Sequence, residues 1–526
     1  MKQYEMFELT LQGEVPINNP AGAVPEAEFT LEGKTKRIKG FYAGNGRYKI
    51  RFYPDSVGTV NWKVCPLVQV GEQKITLMGT LVGSEECGTA PSDIHGIVRV
   101  KGLHFVYEDG NRYQPFGTTV YALIHQEKEL VSQTFDTLAK APFNKIRFCT
   151  FPKHYDYNNN EPDFFAFEKK DDKFDVSKPC YTYWDNLERC IQDLDKLGIQ
   201  GDLILFHPYD RWGFSKFAYE ECLVYLDYLV RRLSAFPNIW WSLANEYDLM
   251  ASFKSSWWDN FAQFIGENDP YHHLLSNHNC LPYWDFSNPY TTHCSIQDTC
   301  VNRVASLQKS YDKPVVFDEV CYEGNIEFPW GNISAFEMVH RFWTAHILGG
   351  YCTHGETYLN DNGILWWSRG GVLHGESAER IAFLRKIMEE LPSDPEALPG
   401  NWDNVIPEEI KNIPEESRKD DVWVNGLASL PIERLYRFID QQGTIQSHCG
   451  DEVYLRYYGH QCCAKGMLEL PEGGSYDIEE IDIWEMTRKT VCSSVSGKVE
   501  FKLSGKEGIA VLAKRKGWGL SFGNVV

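Results

Sequence analysis

Residues 239–248 read Ile-Trp-Trp-Ser-Leu-Ala-Asn-Glu-Tyr-Asp, and residues 315–319 read Val-Val-Phe-Asp-Glu. Each begins as a short apolar run, typical of a buried parallel strand, and ends in acidic or amide side chains. Between about residues 113 and 395, eight such runs alternate with amphipathic helical patterns. Alternating strands and helices favour a parallel sheet, and eight units predict a (β/α)8 TIM barrel. The predicted strands start near Phe116, Lys145, Asp202, Ile239, His273, Thr292, Val315 and Gly350.

An open doubly wound sheet is the alternative for this middle region. Such sheets often bind nucleotides through a glycine-rich turn that precedes a helix. The sequence contains neither a GxGxxG nor a Walker pattern. The barrel is therefore the favoured interpretation.

The regions on either side of the barrel have sequence patterns typical of β-sheet. Short strands such as Tyr48–Phe52 are separated by Gly, Pro, Asn and Asp near the N-terminus, and strands such as Arg434–Phe438 and Val453–Tyr457 follow the barrel. We interpret Gly83–Ser92 as a linker and the proline-rich, acidic segment Ala397–Asp421 as a bridge.

The predicted fold class is a multi-domain α/β plus β protein, a (β/α)8 TIM barrel flanked by N-terminal and C-terminal β-sandwich domains. The flanking domains are expected to stabilise the barrel, with glycan binding as the alternative. The predicted domains are an N-terminal β-sandwich over residues 1–95, a catalytic barrel over 96–398 and a C-terminal β-sandwich over 399–526.

Composition narrows the classes of partner. A net charge of −21 disfavours nucleic acid and anionic membrane surfaces, and no apolar run approaches the length of a membrane span. The first ten residues lack the apolar core of a signal peptide, so we expect a cytoplasmic protein with reduced cysteines. The 15 cysteines show no zinc-binding spacing, and we expect no metal and no cofactor.

Two carboxyl side chains stand where a barrel enzyme places its chemistry, at the C-terminal ends of the strands. Glu246 ends the fourth predicted strand and Glu319 ends the seventh, so the two can face each other across the barrel mouth. Asp318 competes with Glu319, because adjacent strand residues point to opposite faces. A pair of carboxyls is what glycoside hydrolysis requires: one protonates the leaving oxygen and the other attacks the anomeric carbon or activates water.

Asn-Glu after the fourth strand and Glu after the seventh resemble the retaining glycosidases of clan A, which includes family-5 cellulases and β-galactosidases. The resemblance implies that Glu246 is the acid/base and Glu319 the nucleophile. It also implies that Asn245 binds the sugar's 2-hydroxyl, while Arg147 and His207 support the nucleophile and the −1 sugar.

A closer likeness is to a bacterial three-part group of glycosidase-like proteins related to the apiosidase-like barrels. Four phrases carry it: Pro115–Ala122, Phe206–Gly213, Thr353–Tyr358 and Ile481–Thr487. The likeness covers almost the whole chain and implies a sandwich on each side of the barrel.

The eighth strand departs from the clan pattern, which often places a Trp beneath the −1 sugar. Here the strand continues into Thr-His-Gly-Glu at 353–356. Either Trp367 and its neighbour Trp366 fold back over the site, or His354 and Glu356 contact the sugar directly. A metal site in which His207, His293 and His354 join Glu356 is disfavoured, because no ligand spacing supports it.

Two further residues complete the predicted substrate-binding set. His293 lies on the sixth strand, which also departs from the Tyr-bearing pattern of many members. Trp212 follows the third strand and either lines the sugar subsites or packs its loop.

The favoured function is a retaining glycoside hydrolase that acts on a small oligosaccharide or glycoside, with exo action preferred. The alternatives are a non-catalytic carbohydrate-binding protein on a degenerate barrel and a metal-dependent barrel enzyme such as a lyase. The sequence does not identify the sugar or the linkage, and it leaves a homo-oligomer open.

Overall fold

The computed structural model of the chain describes residues 1–170, 173–400 and 405–517. By contacts between residues the chain forms two compact units. The first comprises Met1–Gln297, Tyr311–Ile333 and Thr353–Gly375, and the second comprises Asp298–Ser310, Ser334–Cys352 and Glu376–Val526. The predicted domain boundaries at 95/96 and 398/399 stay predictions. Residues 401–404 of the predicted bridge and residues 518–526 of the last predicted domain lie outside the described ranges.

Eight strands form one parallel sheet. A parallel bridge between His278 and Ser295 joins its two edges, so the sheet nearly closes into the predicted barrel. Seven of these eight strands are buried at every residue, as expected for a sheet with both faces covered. In chain order they are β1 Phe116–Thr119, β2 Lys145–Cys149, β3 Gln200–Phe206, β4 Ile239–Ala244, β5 Leu275–Ser276, β6 Cys294–Gln297, β7 Val315–Glu319 and β8 Tyr351–His354.

Seven helices alternate with these strands, and a helix follows every strand except β5. Their apolar faces are buried at helical spacing, as at Leu226, Leu229 and Leu233 of the third. The helices are α1 Lys128–Leu138, α2 Tyr181–Lys196, α3 Tyr219–Leu233, α4 Ser255–Asn268, α5 Val304–Tyr311, α6 Ala335–Ile347 and α7 Ser377–Glu389. Within the described ranges, none of the helices has the length and apolarity that a bilayer span needs.

The N-terminal region forms a β-sandwich, as predicted. Its core includes a stacked pair, Phe29 and Phe52, that comes from two different sheets with ring centroids 4.5 Å apart. One sheet contains Phe7–Gln12, Arg47–Phe52 and Phe41–Tyr42; the other contains Lys34–Lys39, Glu26–Leu31, Gly58–Val64 and Val82–Cys87; a hairpin pairs Leu67–Val70 with Gln73–Thr76.

The predicted linker Gly83–Ser92 is wrong in its first half. Val82–Cys87 is an edge strand that pairs antiparallel with Gly58–Val64. Its side chains are mostly exposed, because an edge strand is held by backbone hydrogen bonds and needs no apolar face. A small hairpin precedes the barrel: Val98–Lys101 pairs with His104–Tyr107, and Arg112–Tyr113 adds a third strand.

The C-terminal region also contains antiparallel sheet around an apolar core. The larger sheet orders Glu396–Ala397, Ile445–Cys449, Val453–Tyr457, Ile509–Arg515, Tyr476–Asp482 and Thr487–Val495, and Lys465–Leu470 pairs with Gly497–Lys502. The fold class is thereby confirmed.

The predicted strand Arg434–Phe438 is wrong, because these residues lie within a helix, Ile432–Gln442. Leu435 and Ile439 are buried four residues apart, which is a helical spacing, and Pro431 precedes the first turn. The short run Arg-Leu-Tyr-Arg-Phe at 434–438 is equally compatible with one turn of such a helix. Further short helices are Pro407–Asn412, Glu415–Arg418, Val422–Ser429 and Trp366–Arg369.

A buried ion cluster joins the N-terminal sandwich to two barrel helices. Arg51, on a sandwich strand, donates to both oxygens of Glu188 on α2 at 2.7 and 2.8 Å, and Arg232 on α3 donates to the same carboxylate. Burial alone would raise the pKa of Glu188, but Arg51 and Arg232 outweigh it and hold this pKa at about 2. The carboxylate is therefore ionised in the folded protein at any ordinary pH.

We expect Glu188→Gln to destabilise the first unit by about 3 kcal/mol, because it removes the buried carboxylate that Arg51 and Arg232 share and leaves them only the more exposed Glu8 and Asp185. Urea unfolding at pH 7 measures the loss, and Asp193→Asn, at an exposed pair with Lys196, serves as the control with a change below about 1 kcal/mol. Since the folded pKa is depressed, the wild-type contribution is complete above pH 4.5 and is lost as the pH falls through about 2. A Glu188→Gln midpoint equal to that of the control would contradict the role given to the cluster.

Candidate active site

The two predicted carboxyl residues lie at the C-terminal ends of β4 and β7. Glu246 directly follows β4 with φ 56° and ψ 59°, a left-handed conformation that costs energy for a residue with a side chain. Glu319 is the last residue of β7. Both are largely withdrawn from solvent, with 6% and 8% of their surface exposed.

One carboxamide touches both carboxyl groups. Gln297, the last residue of β6, places one end of its amide 3.3 Å from Glu246 Oε1. With the amide turned so that both of its ends are satisfied, its nitrogen donates to Glu319 Oε2 at 3.0 Å and to the Asn279 carbonyl oxygen at 3.2 Å. The two carboxyls are thus separated by about the width of one amide group and its hydrogen bonds.

Tyrosine hydroxyls hold each carboxyl from the other side. The Tyr121 hydroxyl contacts Glu319 and lies 3.1 Å from Asn245 Oδ1 and 3.2 Å from the Tyr322 hydroxyl. The Tyr209 hydroxyl donates to Glu246, which also accepts from Asn245 Nδ2 at 3.2 Å. Both carboxyls therefore belong to one hydrogen-bonded network.

Beneath this network lies a wholly buried group of charges. Lys145 Nζ is 2.7 Å from Asp202 and 2.6 Å from Asp318. Asp318 also accepts from the hydroxyls of Ser295 and Thr353 at 2.6 and 2.9 Å. Although burial opposes it, Lys145 and Arg147 hold the pKa of Asp318 well below its usual range. Asp318 is thus occupied inside the barrel, while its neighbour on β7 contacts the network at the mouth.

Arg147 connects the two layers. Its Nη1 is 3.7 Å from Glu319 Oε1, and its Nη2 donates to Asn245 Oδ1 at 3.5 Å. Burial raises the pKa of Glu319 to about 8, and a hydrogen bond with Tyr322 acts in the opposite direction.

Trp367 lies in an aromatic wall of the same site, at ring-centroid distances of 6.0 Å from Tyr121, 5.9 Å from Tyr322 and 5.1 Å from Trp330. Its indole nitrogen is buried and has no hydrogen-bond partner within the part of the chain that the structure describes. The structure thus groups Trp367 with Glu246, Glu319, Asn245 and Arg147.

Two of the predicted substrate-binding residues, His207 and Trp212, form hydrogen bonds with groups other than the paired carboxyls. His207 is wholly buried, its Nε2 is 3.1 Å from the Phe151 carbonyl oxygen, and burial lowers its pKa to about 3. Trp212 is also buried, and its indole nitrogen donates to Glu161 at 2.7 Å. Their assignment as sugar contacts stays a prediction.

The other three lie in separate packing environments. His293 packs against Phe105 of the hairpin that precedes the barrel and against Trp240 near the start of β4. His354 stacks on Phe143 at 4.8 Å with Nδ1 3.2 Å from Thr118 Oγ1. Glu356 accepts from the backbone N–H groups of His374 and Gly375 at 2.6 and 2.8 Å, and burial raises its pKa to about 7. None of these contacts reaches the paired carboxyls.

Sequence reasoning did not select Gln297, Tyr121, Tyr209 or Tyr322 as site residues. Tyr121 and Tyr209 lie within two of the phrases that carry the family likeness, and Gln297 lies on the same alternating face as His293. Because tyrosine and glutamine are frequent elsewhere in the chain, residue type alone offers no signal for them.

Two groups of side chains could hold a metal ion. Across residues 1–170, 173–400 and 405–517, ligand atoms within 4.8 Å of one another occur in the buried group Glu323, His354 and Glu356, and in the more exposed group Glu337, His340 and His460. Neither group includes a member of the paired carboxyls.

Comparison with known proteins supports the class of glycoside hydrolases. The crystal structure of a putative glycoside hydrolase from Bacteroides vulgatus ATCC 8482 is 30% identical in sequence and has a TM-score of 0.81, over 98% of this chain and 99% of that one. A family-5 glycoside hydrolase from the same organism shares the fold at 15% identity and a TM-score of 0.58, over 80% of this chain and 93% of that one. No curated protein matches the chain in sequence.

The barrel is that of a glycoside hydrolase. Residues 100–394 match the apiosidase-like catalytic domain, and the chain belongs to that family. Residues 1–65 and 443–514 match two domains of unknown function, DUF5060 and DUF5605.

We expect kcat/KM to fall as the pH drops below about 8, close to tenfold per pH unit well below the pKa, if Glu319 must be ionised to react. Tyr322→Phe removes the hydrogen bond that lowers this pKa and should move the acidic limb to higher pH. A pH profile of kcat/KM for both proteins measures the shift, and identical limbs would contradict the assignment.

Proposed function

We propose that the protein is a retaining glycoside hydrolase in which Glu319 is the nucleophile and Glu246 the acid/base. The observation that supports the pairing is the contact of Gln297 with both carboxyls, because one amide group spans the gap between them. The choice of a retaining mechanism rests on the resemblance to clan A. Retaining enzymes hold their carboxyls about 5–5.5 Å apart, whereas inverting enzymes need room for a water between them.

The orientation of the Gln297 amide supports the division of roles. Its nitrogen donates to Glu319, which favours the ionised form that a nucleophile needs. Its oxygen then faces Glu246, an arrangement that is satisfied when Glu246 carries a proton, as a general acid must. Burial opposes ionisation of Glu319, and the nearby guanidinium of Arg147 favours it.

The reaction proceeds by double displacement. Glu319 attacks the anomeric carbon while the bond to the leaving oxygen breaks, and that oxygen takes the proton of Glu246. Glu246, now a carboxylate, removes a proton from water, and the resulting hydroxide displaces Glu319 from the sugar. Asn245, fixed by Tyr121 and Arg147, is positioned to bind the 2-hydroxyl.

The substrate is expected to be a small oligosaccharide or glycoside cleaved from its end. Galactosides, glucosides and arabinosides belong in the first test, and the apiosidase-like family adds apiosides. The flanking sandwiches are assigned a stabilising role, which the buried Arg51–Glu188 pair supports for the N-terminal one.

A screen of aryl glycosides tests the assignment with wild type, Glu246→Ala and Glu319→Ala. We expect Glu319→Ala to abolish turnover and Glu246→Ala to lose about 10²–10⁴-fold in kcat/KM. Azide should rescue Glu319→Ala to give a glycosyl azide of inverted configuration and Glu246→Ala to give the retained one. Glu129→Ala, on the exposed face of α1, is the control and should keep wild-type activity.

NMR of the first product formed by the wild type separates the two mechanisms. A product with the anomeric configuration of the substrate agrees with double displacement, and an inverted product overturns it while leaving a hydrolase. Wild-type activity in both alanine variants would move the site elsewhere. Tight sugar binding without turnover on every glycoside, natural oligosaccharides included, would favour the non-catalytic alternative.

A further inference from the structure

A buried ammonium group lies between the two halves of the catalytic network. Lys153 follows β2 by four residues, and only 5% of its surface is exposed. Its Nζ is 3.7 Å from the ring centroid of Tyr121 and 4.2 Å from that of Tyr209. Those two tyrosines contact Glu319 and Glu246 respectively, so the ammonium is close to both carboxyls.

The hydrogen-bonding capacity of this ammonium is unused. Lys153 has three N–H donors, yet within the described ranges Nζ forms neither a hydrogen bond nor an ion pair, and its neighbours are ring faces, including Trp367 at 5.1 Å. Aromatic faces attract a cation but accept its hydrogen bonds poorly. A largely buried ammonium without a carboxylate partner is costly, and a ligand bound at the paired carboxyls could supply that partner.

A second donor lies in the same wall. The indole nitrogen of Trp367 is buried without a partner, and Trp367 contacts Tyr155 and Trp330, which are only partly buried. Two unsatisfied donors beside the paired carboxyls are suited to a ligand that presents oxygen acceptors. A sugar bound at those carboxyls would present them.

We propose that Lys153 binds a carboxylate carried by the sugar in the −1 subsite, so that the preferred substrate is a uronide, a glycoside of a uronic acid. The proposal rests on the proposed function. It follows from pairing: Glu319 lies beside Arg147, and Glu246 accepts from Tyr209 and Asn245, so within the described residues the Lys153 ammonium has no negative charge of its own. A substrate carboxylate supplies that charge, whereas a hydroxyl accepts a hydrogen bond without supplying it.

Burial lowers the pKa of Lys153 to about 8, so most of the ammonium is protonated at pH 7. A bound carboxylate would favour the charged form and raise this pKa. The tyrosine and tryptophan rings then exclude water from the ion pair, which strengthens it.

The test compares matched aryl glycosides, glucuronide against glucoside and galacturonide against galactoside, in both anomers. We expect the wild type to favour the uronide, and Lys153→Met to lose about 10–100-fold in kcat/KM on the uronide with a much smaller loss on the neutral sugar. Lys153→Arg should recover part of the loss. Equal losses on both sugars, or no loss on either, would overturn the proposal.

Thermal unfolding separates a ligand-binding lysine from a structural one. Lys153→Met keeps the apolar stem and removes an unpaired buried charge, so its unfolding midpoint should equal or exceed that of the wild type. A lowered midpoint would show that the ammonium stabilises the fold and would count against the proposal.

Calorimetric titration with free glucuronate and galacturonate distinguishes failure of this proposal from failure of the hydrolase assignment. Binding that is lost in Lys153→Met and absent for the neutral sugars supports the anion site even if no glycoside is cleaved. Cleavage of neutral glycosides by the wild type, without uronate binding, retains the hydrolase and overturns the anion site.

Discussion

The buried ammonium of Lys145 is the interaction on which the catalytic end of the barrel depends. It pairs with Asp202 on β3 and Asp318 on β7, and all three side chains are almost completely withdrawn from solvent. Removing one member would leave an uncompensated charge in the interior, so the cluster tolerates few alternative arrangements of its three strands. Because the cluster fixes the strands, it also fixes the level at which Arg147 and Glu319 emerge above it.

The site above the cluster is built by pairs of groups that restrain each other. Glu246 adopts a left-handed backbone conformation, and its side chain is held by Tyr209, Asn245 and Gln297. Strain of this kind persists where surrounding contacts over-determine the conformation. The result is a carboxyl whose position is set before substrate arrives, which is how a hydrolase reduces the reorganisation needed in the transition state.

The sequence predicted the barrel and its two carboxyls because both depend on local patterns. An apolar run that ends in Asn-Glu or Asp-Glu indicates a strand end, and in a barrel all such ends share one rim. It failed at Arg434–Phe438, where a short run of apolar and aromatic residues resembles a strand but belongs to a helix, and at Gly83–Ser92, where a polar edge strand looks like a linker. In both cases the deciding contact lies outside the short stretch. Val82–Cys87 pairs with Gly58–Val64, and Leu435 is buried together with Ile439.

The sequence by itself determined the class of fold, the flanking β-domains and the two acidic strand ends, because strand and helix periodicity are properties of neighbouring residues. The tertiary structure decided which other groups meet those acids. Gln297, Tyr121 and Lys153 come from different strands and loops, and their convergence follows from the closure of the barrel. A hydrogen bond or an unpaired buried charge is a relation between distant residues, so it leaves no periodic trace in the sequence.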